Sequence, residues 1–166
     1  LPESGKLKFV IPNAHHESVT ALALCNDDEL NPPYRLISGG KDGRVRMWNV
    51  SPSYQTMVFN AKDHRDRVSS IKVTKDNSQC ISASADGSCI IWDLLKLVRI
   101  AAVVEPTVFK SVLYHPEESQ ILTASASFKI GYWDAYDGSP IRVVEGGNAA
   151  MNALDVTPDG EKFVSG

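Results

Sequence analysis

The strongest constraint on this chain is a short pattern that occurs three times. Ile81-Ser-Ala-Ser-Ala-Asp-Gly-Ser-Cys-Ile-Ile-Trp-Asp93 reads as two apolar strands joined by a tight turn at Asp86-Gly87. Asp-Gly between strand-like runs is a strong hairpin signal, and a two-residue turn of this type places both residues at positive φ. Leu36-Ile-Ser-Gly-Gly-Lys-Asp-Gly-Arg-Val-Arg-Met-Trp-Asn49 has the same grammar, and so does Leu122-Thr-Ala-Ser-Ala-Ser-Phe-Lys-Ile-Gly-Tyr-Trp-Asp134. Trp48, Trp92 and Trp133 stand 44 and 41 residues apart. A unit repeated at that period buries its apolar face against its neighbours, so the chain should be a row of similar units.

Around each hairpin the same elements return. Val19–Cys25, Val68–Val73, Val108–Tyr114 and Met151–Val156 precede the hairpins as strand candidates, and Tyr54–Phe59, Lys96–Val104 and Pro140–Val144 follow them. Lys96–Val104 has enough leucine for a helix, but Val98, Ile100, Val103 and Val104 favour a strand. Lys6–Ile11 reads as one more strand, and Asn26–Tyr34, polar with two prolines, as a loop.

Composition removes several classes of function. The formal net charge is −3 and the cations are scattered, which leaves no basic footprint for nucleic acid or an anionic membrane. No apolar run approaches the length of a membrane span, and Leu1-Pro-Glu-Ser-Gly5 does not have a signal-peptide pattern. Cys25, Cys80 and Cys89 are odd in number and contain no CxxC, as expected of reduced core thiols in a cytoplasmic protein.

Four short strands per 40–45 residues, with the third ending in Trp-Asp, resemble the blade of a WD40 β-propeller. Trp92-Asp93 and Trp133-Asp134 keep the dipeptide, and Trp48-Asn49 departs conservatively. The resemblance implies an all-β fold of about three full blades, at 15–60, 61–104 and 105–145. Residues 1–14 would be the outer strand of a preceding blade, and 146–166 the first part of a further one. Propellers close on roughly 4–8 blades, so the chain is expected to be a fragment of a longer protein.

The resemblance also implies a structural hydrogen-bond tetrad in each blade. In the first blade it falls on His15, Ser38, Asp42 and Trp48, and in the second on His64, Ser82, Asp86 and Trp92. His15 is preferred to His16 because its spacing to Val19 matches that of His64 to Val68. The buried indole N–H needs a partner, the serine hydroxyl links it to the imidazole, and the imidazole passes its other N–H to the turn aspartate. The third blade keeps only Thr123 and Trp133: Ser127 stands in the aspartate position, and no histidine precedes Val108. That blade is expected to be locally softer.

Ser82, His64 and Asp86 also have the residue types of a nucleophile, base and orienter. The same set recurs at Ser38, His15 and Asp42, and no Gly-x-Ser-x-Gly elbow is present, so a structural role is the better reading. The cysteines and histidines lack metal-ligand spacing. Gly39-Gly40 and Gly146-Gly147 open no helix in P-loop register and read as turn glycines. No catalytic, cofactor or metal residue is therefore assigned, and no small-molecule substrate is expected. A propeller presents loops to partners, and the candidates are Asp27, Asp28, Glu29 and Tyr34 in the first loop, with Tyr54 and Tyr136.

Within the family, Phe9-Val-Ile-Pro-Asn-Ala-His15, Cys89-Ile-Ile-Trp-Asp-Leu94, Tyr114-His-Pro-Glu-Glu118 and Lys129-Ile-Gly-Tyr-Trp133 resemble the cilia- and flagella-associated members that line axonemal doublet microtubules. That resemblance implies a non-catalytic scaffold of the axoneme, with tubulin and other axonemal proteins as partners. The alternative is an interaction adaptor outside the cilium, such as a ubiquitin-ligase substrate receptor or a chromatin-associated scaffold. Such receptors often carry arginine two residues after Trp-Asp; Leu95 and Tyr136 occupy those positions.

Overall fold

A computed structural model of the chain describes residues 9–25, 33–145, 147 and 149–166. Among them every regular element is a strand. β1 (Val19–Leu24), β2 (Tyr34–Gly40), β3 (Val45–Val50) and β4 (Gln55–Ala61) form one antiparallel sheet in sequence order. The second consists of β5 (Val68–Val73), β6 (Gln79–Ser84), β7 (Ser88–Asp93) and β8 (Val98–Val104). The third consists of β9 (Phe109–Tyr114), β10 (Gln120–Ser125), β11 (Lys129–Asp134) and β12 (Pro140–Glu145). A two-stranded sheet of β13 (Leu154–Val156) and β14 (Phe163–Ser165) follows.

The sheets are stacked in chain order, with β1 beside β5, β5 beside β9 and β9 beside β13. The apolar core consequently lies between sheets. Ile37, Val45, Ile71, Cys80, Ile90 and Trp92 fill the seam between the first and second sheets. Ile81, Cys89, Ile91, Phe109, Ile121 and Trp133 fill the next. Each tryptophan sits at a register shift between the third and fourth strands, as at Ile91/Trp92. Such bulges re-aim side chains, and the indoles of Trp92 and Trp133 face the preceding sheet: Trp92 meets Phe59 edge-on with ring centroids 5.7 Å apart.

The hairpin turn differs from the sequence expectation. Gly87 has φ +86°, whereas Asp86 is not at positive φ. The Gly87 N–H donates to the Ser84 carbonyl at 3.4 Å. This is a type I turn closed by one left-handed residue, and the aspartate stays in ordinary backbone space where its carboxylate can fold back on the turn. Gly43 repeats it at +71°. Glycine is required there twice over, because a Cβ on Gly87 would stand 2.2 Å from the carbonyl oxygen of Glu105, the residue that follows β8 in the linker to the third sheet. Phe128 holds this position in the third sheet at φ +65°, a costly conformation for a bulky side chain.

Other boundaries also shift. Phe9–Ile11 are not in a strand, and no described strand precedes β1; residues 1–8 of the expected outer strand lie outside the described residues. Tyr34 belongs to β2 rather than to the loop, and Asp27, Asp28 and Glu29 lie outside the described residues. Gly39 and Gly40 end β2 instead of forming a turn. Residues 151–153 are not in the strand expected there, which begins at Leu154. Gly146 lies outside the described residues.

Candidate functional site

In the first blade the chosen residues meet. The Trp48 indole N–H donates to Ser38 Oγ at 2.9 Å, and Ser38 Oγ lies 2.8 Å from His15 Nε2. His15 Nδ1 is 2.8 Å from Asp42 Oδ1. Since the serine oxygen already accepts from the indole, its own proton goes to Nε2, and Nδ1–H points at the carboxylate. Asp42 Oδ2 also accepts the backbone N–H of His16 at 3.1 Å, so His16 contributes its backbone and leaves its side chain exposed.

The second blade carries an additional residue. The Trp92 N–H donates to Ser82 Oγ at 2.8 Å, and Ser82 Oγ is 2.7 Å from His64 Nε2. His64 Nδ1, however, finds Ser88 Oγ at 2.7 Å, and the Ser88 hydroxyl donates to Asp86 Oδ1 at 2.6 Å. The direct separation between His64 Nδ1 and Asp86 Oδ2 is 3.7 Å. The chain of donors therefore runs Trp92, Ser82, His64, Ser88, Asp86. Sequence reasoning missed Ser88 because the matching positions, Arg44 and Lys129, carry no comparable hydroxyl; a short hydroxyl immediately after the turn glycine was the available signal. Burial pushes His64 down to about 4, against the opposing pull of Asp86 and Asp63. Burial would raise Asp86, but hydrogen bonds from the Arg65 backbone and from Ser88 outweigh it and hold the carboxyl low.

In the third blade the Trp133 N–H donates to Thr123 Oγ1 at 2.9 Å, and no imidazole or carboxylate continues the chain. Ser127 turns instead to Ser125, the hydroxyls 2.7 Å apart. Gly131 is the local accommodation: a Cβ there would lie 2.6 Å from Trp133 Nε1, so the bare backbone lets the indole settle over it.

The aspartates of the Trp-Asp pairs cap the following turns. Asp93 Oδ1 accepts the backbone N–H groups of Leu95 and Lys96 at 2.9 and 2.7 Å, and Asp134 Oδ1 accepts those of Tyr136 and Asp137. Tyr54 is half exposed, and Tyr136, on the turn after β11, is 83% exposed.

The Ser-His-Asp set is poorly placed for nucleophilic chemistry. Ser82 is 0% and His64 2% exposed, and the serine oxygen is occupied by the indole donor. The three cysteines are buried and free, and burial raises the thiols of Cys80 and Cys89 well above their ordinary value. Among the described residues no group of three metal-ligating side chains comes together, and no helix is long and apolar enough to cross a membrane.

Residues 5–49 and 55–93 match the family described as WD domain, G-beta repeat. The chain belongs to the WD40 family. The matched WD40 segments end at Asp93; beyond it lies the blade without histidine or turn aspartate. Across 99% of its length the chain is 45% identical to cilia- and flagella-associated protein 52 of Sus scrofa and of Chlamydomonas reinhardtii. It is 43% identical to the Homo sapiens protein of that name over the same share. It spans about a quarter of these relatives' length, 26% in each case.

Proposed function

We propose that this WD40 chain is part of a non-catalytic scaffold of the cilium or flagellum. It would bind tubulin and neighbouring proteins inside axonemal doublet microtubules and so support motility. The observation that carries the reading is the 43–45% identity, over nearly the whole chain, to cilia- and flagella-associated proteins of mammals and of a green alga. The buried donor chains fit the same reading, because they fix the blades and leave loops and edges for partners.

The test is localisation of the tagged full-length protein in a flagellated cell, followed by fractionation. Co-purification with salt-washed doublet microtubules is expected. Exclusion from the axoneme would overturn the ciliary reading and favour an adaptor role elsewhere in the cell.

A further inference from the structure

We draw no further inference here: the strongest candidate, the cavity of about 510 Å³ between the second and third sheets at the turns that carry Lys96, Tyr136 and Asp137, is rimmed by carboxylates that already cap their own turns, and nothing in the structure shows what covers it.

Discussion

Asp86→Ala removes a carboxylate that closes the second blade's donor chain, and its cost can be worked bond by bond. The carboxylate accepts the Arg65 N–H at 2.6 Å, the Ser88 N–H at 2.9 Å and the Ser88 hydroxyl at 2.6 Å. Hydrogen bonds to a charged acceptor contribute about 1.5–3 kcal/mol each. Water can replace the exposed Arg65 contact, which leaves the two Ser88 bonds and the orientation they give His64. The sum is roughly 2–4 kcal/mol after allowing for solvent screening. For a chain of this length that lowers the thermal midpoint by roughly 5–15 °C. Urea unfolding followed by tryptophan emission gives the free energy, and hydrogen exchange should quicken first at Arg65 and Ser88. A loss below about 0.5 kcal/mol, the range of an ordinary surface change, would refute the bond-by-bond reasoning.

Three further outcomes are expected. Phe128→Gly should stabilise the chain by about 1 kcal/mol, since φ +65° costs a bulky residue roughly that much and glycine nothing comparable; an unchanged or lower thermal midpoint would contradict it. Gly131→Ala should push the indole off Thr123 and destabilise by about 1–3 kcal/mol, visible as a shift in tryptophan emission. Stability should fall as pH drops from 6.5 towards 4, because unfolded His64 takes up a proton over that window while the folded residue, pushed down to about 4, does not; this one group contributes about 3 kcal/mol. Unfolding free energies measured between pH 7 and pH 4 check it, and His64→Gln should flatten the slope.

The sheets were legible because their signals are local. The Trp-Asp ends, the spacing of the hairpins and the β-branched run at 98–104 each act within a few residues, and the strands lie within a few positions of where they were expected. The turn geometry was less so. Asp-Gly suits both a two-residue turn and the observed type I turn, and the choice is made by the Glu105 and His64 carbonyls of the linkers between sheets, which lie far off in sequence. Ser88 was hidden for a related reason: whether His64 reaches Asp86 directly or through a hydroxyl depends on less than an ångström of ring placement. Phe9–Ile11 are apolar enough to read as a strand, but a strand is defined by its ladder, and none of the described strands lies beside them.

The central claim is that Trp92, Ser82, His64, Ser88 and Asp86 form one continuous structural chain. A double-mutant cycle between its remote members, Trp92→Phe and Ser88→Ala, tests this most directly. The two side chains share no hydrogen bond, so any coupling must pass through Ser82 and His64. A coupling energy of about 0.5 kcal/mol or more is expected of a connected network; additivity within about 0.3 kcal/mol would mean that the links act independently and would contradict the claim.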